Sequence, residues 1–177
     1  DIAFMRCIPN VILMAPCDGD EFKRMFALAL DQNERPVAIR YPKTNAPMDL
    51  PPAADEDLSL GVGEVLLEGE DVAIVAYGGM VEFCYHAAKR LRERGLAVSL
   101  VNARFAKPLD VDLLRRLKAR HHTLITAEEH VLMGGFGSAV VEACVDHDIK
   151  FDRIHRMGVP DRFLTFGKRD LLLKEIG

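Results

Sequence analysis

Arg40 and Lys43 flank Pro42 at the end of a short apolar run, PVAIRY, over residues 36–41. A continuous apolar run closed by proline reads as a strand buried on both faces. In open α/β sheets, ligands bind beyond the carboxyl ends of such strands. A guanidinium and an ammonium placed there suit the holding of an anion. Arginine grips a phosphate with a two-pronged fork, whereas lysine acts as a point charge. The competing reading is a pair of solvated charges.

Other chemistry-bearing residues carry weaker signals. The turn Gly134-Gly135-Phe136-Gly137-Ser138 precedes a helical pattern and offers backbone N–H groups to an anion. Its Gly-x-Gly-x-x-Gly register is incomplete and no strand enters it directly, so tight turning and close packing account better for the glycines. Glu128 and Glu129 end an apolar strand with no nucleophile beside them, and read as a solvated pair or a helix-end partner. His121, His122 and His130 lack metal-ligand spacing and read as surface residues. Cys7, Cys17, Cys84 and Cys144 are widely spaced without a CxxC pair. They read as buried free thiols in a reducing cytoplasm.

The elements that must position these groups follow from apolar periodicity. Residues 11–15 (VILMA) read as a strand. Asp18 then caps a helix, Glu21 reaches back toward the cap, and Phe22, Met25, Phe26 and Ala29 form its apolar face. With the strand at 36–41 this makes a parallel crossover unit. Residues 44–60 change character: Pro47, Pro51 and Pro52 mix with Asp49, Asp55, Glu56 and Asp57, and no period survives. That composition predicts an extended, solvated linker between a unit at 1–43 and a second at 61–177.

In the second unit, strands at 64–67 and 72–77 are expected to form a hairpin. A helix follows Gly78-Gly79 with Val81, Cys84, Ala88 and Leu91 inward, and it ends at Gly95. Then come a strand at 97–101, a helix capped by Asp110 that carries Leu113, Leu114 and Leu117, and a strand at 123–127. Lys107-Pro108 reads as a turn. A helix at 137–145 with Val140, Val141 and Cys144 inward precedes an edge strand at 151–157. This is an α/β fold, parallel in the first unit and mostly parallel and doubly wound in the second. The 177 residues carry a net charge of −4 and no basic stripe, which leaves no footprint for nucleic acid. No run approaches the roughly 18–20 apolar residues of a membrane span.

Doubly wound α/β folds host many functions, and the local strings narrow the field. Arg6-Cys7-Ile8-Pro9-Asn10, Met14-Ala15-Pro16 and Ala38-Ile39-Arg40-Tyr41-Pro42 resemble the end of the pyrimidine-binding domain of 1-deoxy-D-xylulose-5-phosphate synthases. The string from Asn102 to Asp110 (NARFAKPLD), Glu128-Glu129-His130 with Met133 to Ala139, and Gly158-Val159-Pro160-Asp161-Arg162-Phe163 resemble that family's transketolase C-terminal domain. The resemblance implies joining of pyruvate to D-glyceraldehyde 3-phosphate with loss of CO₂, on a route to isoprenoid precursors, thiamine and pyridoxal.

It further implies thiamine diphosphate and Mg²⁺ in a full-length homodimer. The Gly-Asp-Gly metal motif and the activating glutamate would precede Asp1, so the chain by itself is expected to be an inactive fragment without cofactor or metal. An arginine at the position of Lys43 grips the aldehyde's phosphate in the family, and a transketolase arginine aligns with Arg40. The family's arginine-glycine is Lys43-Thr44 here, and its later His-Gly is Phe166-Gly167. The competing assignments are the C-terminal part of a transketolase, a 2-oxo-acid dehydrogenase beta chain, or a structural and dimerisation module.

Acidic, proline-rich residues 43–60 offer little to bury, so limited proteolysis is expected to cut there first, before any site within 72–95, and to release a compact piece from about residue 60 onward.

Overall fold

The computed structural model describes residues 1–53 and 58–176. The chain opens with a short helix α1 (Ile2–Cys7), capped by the Asp1 carboxylate, which accepts from the Ile2 N–H at 2.8 Å. Strand β1 (Ile12–Met14), helix α2 (Gly19–Asp31) and strand β2 (Val37–Ile39) follow as the expected crossover, with β1 and β2 parallel. Asp18 caps α2 by accepting from the Glu21 N–H at 2.7 Å. Glu21 reaches back one residue further than a capping box requires, to the Cys17 N–H at 2.7 Å, and is wholly buried. It takes the place on α2 that an apolar residue would fill. Met25 is buried, while Phe26 is 52% exposed and rests on Phe22 instead of the core.

The second stretch runs β3 (Glu64–Leu67), β4 (Val72–Ala76), α3 (Met80–Glu93), β5 (Val98–Asn102) and β6 (Phe105–Lys107). It continues through α4 (Val111–Arg120), β7 (Thr123–Val131), α5 (Phe136–Asp146), β8 (Arg153–Val159) and α6 (Arg169–Ile176). Five strands form a sheet in the order β3-β5-β4-β7-β8, parallel except for β3. Asp110 caps α4, and Leu113, Leu114 and Leu117 are buried beneath it, as their spacing predicts. The last strand lies at the sheet edge, also as predicted.

The hairpin expected between β3 and β4 does not form, because β5 lies between them. The connection passes across the start of β5: Gly69 N–H donates to Ser99 Oγ at 2.8 Å, and the Glu70 and Asp71 N–H groups both donate to the Ala97 carbonyl. A Cβ on Gly69 would meet that carbonyl oxygen at 2.4 Å, so only glycine passes there. With β5 inserted, β4 has a parallel neighbour on each side, which suits its nearly uniform burial.

Strand β6 crosses between the two stretches. It leaves the five-stranded sheet and pairs antiparallel with β1, giving a second sheet in the order β2-β1-β6. One core cluster holds Ile2, Leu13 and Ala15 together with Val75, Tyr77, Leu114, Phe136 and Val140. The described part of residues 44–60 has no helix or strand, yet it is not wholly solvated. Leu50 packs against the buried cluster that includes Cys17 and Val81, and Leu58 and Leu60 against the one formed by Ile12, Met14, Met25 and Phe105. Asp55, Glu56 and Asp57 lie outside the described residues. Because β6 pairs with β1 and the core is shared, a chain nicked in this stretch is expected to stay one particle instead of releasing a compact piece from about residue 60 onward.

Arg104 sits where the two stretches meet, 1% exposed and at φ 58°. Its Nε donates to Glu21 at 2.7 Å and its Nη2 to Glu64 at 2.5 Å, while Asn102 Nδ2 donates to Glu21 at 2.9 and 3.0 Å. Removing one member of such a buried cluster leaves uncompensated charge. Arg104→Met is expected to cost about 3–5 kcal/mol, read as a lowered urea midpoint at neutral pH.

Candidate functional site

Arg40 and Lys43 line one cleft of about 630 Å³. Arg40 follows β2, and its N–H donates to the Met14 carbonyl at 2.8 Å, so the guanidinium projects from the strand end. Nη1 donates to Glu129 Oε2 at 3.0 Å, Nη2 to the Glu129 carbonyl at 3.4 Å, and Nε lies 3.5 Å from the Asp1 carboxylate. Lys43 is exposed and makes no ion pair among the described residues.

Two further cations line the cleft that sequence reasoning missed, Lys168 and Arg169. Arg169 Nε donates to the other oxygen of Glu129, and its Nη2 reaches the Gly79 carbonyl at 3.4 Å. A single carboxylate thus holds two guanidiniums, one per oxygen, two residues before the end of β7. Glu129 is neither solvated nor a helix-end partner. Gly79 eases the approach, since a Cβ there would lie 3.0 Å from Arg169 Nη2 and 3.1 Å from Glu129 Oε2 and would make both side chains shift. Counting Asp170, the lining holds four cations and two carboxylates and so favours an anion. The strand-end position of Glu129 was a usable signal. Arg169 had none, because only the fold returns the last helix to this cleft.

The Gly134–Gly137 turn is already filled from within. The Glu128 carboxylate accepts from the Phe136 N–H at 2.6 Å and the Gly137 N–H at 2.8 Å, capping α5. A Cβ on Gly135 would sit 2.2 Å from Glu128 Oε2, so the glycine makes room for the carboxylate. The backbone donors that an outside anion would need are taken.

His121 is buried, not on the surface, with its ring nitrogens 2.8 and 3.0 Å from the Leu117 and Gly69 carbonyl oxygens. The connection that displaced the hairpin covers it. His122 is exposed and pairs with Asp152 at 3.1 Å. His130 is partly buried, and that burial lowers its pKa. Cys17, Cys84 and Cys144 are buried, and burial pushes the Cys84 thiol up to about 12. Cys7 is exposed, because α1 turns its far side outward. Among the described residues one group has metal-ligating atoms close together: Asp49, Glu82 and His86, within 4.8 Å. All three are at least partly exposed, and His86 pairs with Asp49 at 3.1 Å.

Desolvation raises the Glu128 pKa above 4.5, against the opposing pull of its two backbone donors. An acid with a raised folded pKa destabilises the fold while ionised, and that cost fades as pH falls through the folded value toward the unfolded one. Denaturant midpoints should therefore show wild type gaining on Glu128→Gln as pH falls from 7 toward 4.5. Glu128→Ala, which strips both backbone donors of their acceptor, should cost about 1–3 kcal/mol at pH 7.

Residues 61–177 match the family described as the transketolase C-terminal domain, and residues 1–48 the transketolase pyrimidine binding domain. The chain is 43% identical to the 1-deoxy-D-xylulose-5-phosphate synthase of Crocosphaera subtropica, covering 100% of this chain and 28% of that protein. For the Synechococcus sp. (strain JA-3-3Ab) synthase the identity is 44%, over 100% of this chain and 27% of that one. The chain thus spans little more than a quarter of the length of these curated relatives. A solved structure described as a split gene transketolase in an inactive beta4 tetramer superposes with a TM-score of 0.88 at 34% identity, covering 99% of this chain and 55% of that one. Transketolase from Campylobacter jejuni shares the fold, with a TM-score of 0.73 at 19% identity, over 99% of this chain and 25% of that one. Both domain families occur in order along one polypeptide, and synthases match it from end to end: the chain belongs to the transketolase C-terminal domain family and corresponds to the C-terminal region of 1-deoxy-D-xylulose-5-phosphate synthases.

Proposed function

We propose that this chain forms part of an enzyme that joins pyruvate to D-glyceraldehyde 3-phosphate with loss of CO₂, and that Lys43, helped by Arg40, holds the aldehyde's phosphate. The observation that carries the reading is the match to synthases along the whole of this chain. The placement of both cations on one cleft beyond β2 supports the site assignment. Arg40 is partly neutralised by Glu129 and Asp1, so its part is to orient and to add field. Lys43 has its full charge to give, without arginine's fork.

Thiamine diphosphate supplies the carbanion chemistry in this reading, and Mg²⁺ anchors its diphosphate. Mg²⁺ does not fit the cleft of this chain. A lining with four cations repels Mg²⁺, and Asp49, Glu82 and His86 form a separate group, each at least partly exposed. In this reading cofactor and metal are held by other parts of the whole enzyme, and no chemical step is assigned to this chain. A homodimer in the cytoplasm completes the reading. Phe163 and Phe166 are fully exposed, as side chains of an assembly surface would be in a lone chain. No described helix is long and apolar enough to cross a membrane.

Losing one charge-assisted hydrogen bond to a phosphate costs about 1.5–3 kcal/mol, or roughly 10- to 150-fold. In the full-length enzyme, Lys43→Ala should raise KM for the aldehyde phosphate by that factor and leave the pyruvate KM nearly unchanged. Lys43→Arg should be tolerated or bind more tightly. Unphosphorylated glyceraldehyde should respond to neither change. Equal losses for both aldehydes would return Lys43 to the role of a solvated charge.

A further inference from the structure

We propose that the cleft has a second cationic wall, Lys168, and that a small phosphate ester held between Lys43 and Lys168 fastens helix α6 to the body of the protein. This rests on the reading of the cleft as a phosphate site.

Helix α6 buries none of its residues. Its polar ties to the body run through Arg169, which reaches Glu129 and the Gly79 carbonyl and lies 5.1 Å above the Phe83 ring. Among the described residues, the other side-chain hydrogen bonds of this last segment are internal. Arg162 Nη2 donates to the Glu175 carbonyl at 2.9 Å, and Thr165 Oγ1 to the Glu175 carboxylate at 2.6 Å. Among the described residues one arginine therefore carries the side-chain polar ties between this strap, which has no fully buried residue, and the body.

The four cations of the cleft divide into two kinds. Arg40 and Arg169 share Glu129, so their guanidiniums are oriented and partly compensated before any ligand arrives. Lys43 and Lys168 are both exposed and form no ion pair among the described residues. Lys43 follows β2, whereas Lys168 stands at the start of α6, where its carbonyl accepts from Leu171 and Leu172. Two free ammonium groups match the near-double charge of a phosphate monoester. Asp170 opposes them and leaves the lining cationic on balance. At about 630 Å³ the cleft also has room for a short carbon chain, against a wall of Leu164, Leu172 and Ile176. A phosphate bridging the two lysines adds a second tie between body and strap.

The test titrates the chain with inorganic phosphate and with glycerol 3-phosphate at constant ionic strength, and follows amide hydrogen exchange of residues 169–176. Lys168→Ala should weaken binding about tenfold or more, the worth of one charge-assisted hydrogen bond. Lys174→Ala, which removes an exposed charge of the same helix outside the cleft, should change nothing. Bound phosphate should slow exchange in α6 of the wild type and not of Lys168→Ala. Unchanged affinity in Lys168→Ala, an equal loss in Lys174→Ala, or unprotected α6 amides at saturation would each overturn the proposal. Weakening in Lys43→Ala alone removes the second wall and keeps the phosphate reading. Weakening in Lys168→Ala alone keeps the wall and removes Lys43 from the phosphate site.

Discussion

Taking a guanidinium out of water costs several kcal/mol even after the protein relaxes around it, so a buried arginine survives only with well-placed partners. Arg104 is such a residue, and its partners come from opposite ends of the architecture. Glu21 belongs to α2 in the stretch that matches the pyrimidine binding domain, and Glu64 to β3 in the stretch that matches the transketolase C-terminal domain. Asn102 and the Cys17 N–H fill the remaining acceptor positions on Glu21. The same turn, with Arg104 at φ 58°, sends the chain out of the five-stranded sheet and into β6 beside β1. The arginine's carbonyl accepts from the Ala15 N–H at 2.9 Å, so backbone and side chain act at one joint. The cluster is therefore a matter of registry as much as of strength. Satisfying Arg104 requires α2, β3 and the end of β5 to be in place at once.

The cleft depends on that joint. Once β6 pairs with β1, the carboxyl end of β2 faces the end of β7 and the N-terminus of α3. Glu129 can then take Arg40 from one stretch and Arg169 from the other. Gly79 supplies the clearance and Phe83 the ring beneath the second guanidinium. The two acidic neighbours near the end of β7 divide their work by environment. Glu128 turns inward to cap α5, and Glu129 turns toward the cleft to hold two arginines.

Elements whose evidence is local were legible in the sequence. The Asp18 and Asp110 caps, the inward stripe Val81, Cys84 and Ala88 and the leucines of α4 follow from spacing within a few residues, and the parallel pairing of β1 with β2 from the strand–helix–strand order. Such features rest on backbone geometry and apolar periodicity, which a chain carries wherever it ends up. The strand-end position of Arg40 and Lys43 was legible for the same reason. So was the family, because its motifs are contiguous strings.

What the sequence could not reveal lies in pairings between distant residues. Insertion of β5 between β3 and β4 defeats the hairpin that a four-residue turn suggests, and it gives β4 a parallel neighbour on each side. Burial of His121, the filling of the glycine turn by Glu128, the departure of β6 to the other sheet and the return of Arg169 to the cleft leave no local trace. The residue types alone determined that this protein has two α/β stretches, their helix faces and a cationic strand end. Tertiary structure decided which charges are spent inside the molecule and which stay free, because a charge's role is set by the partners that burial forces upon it.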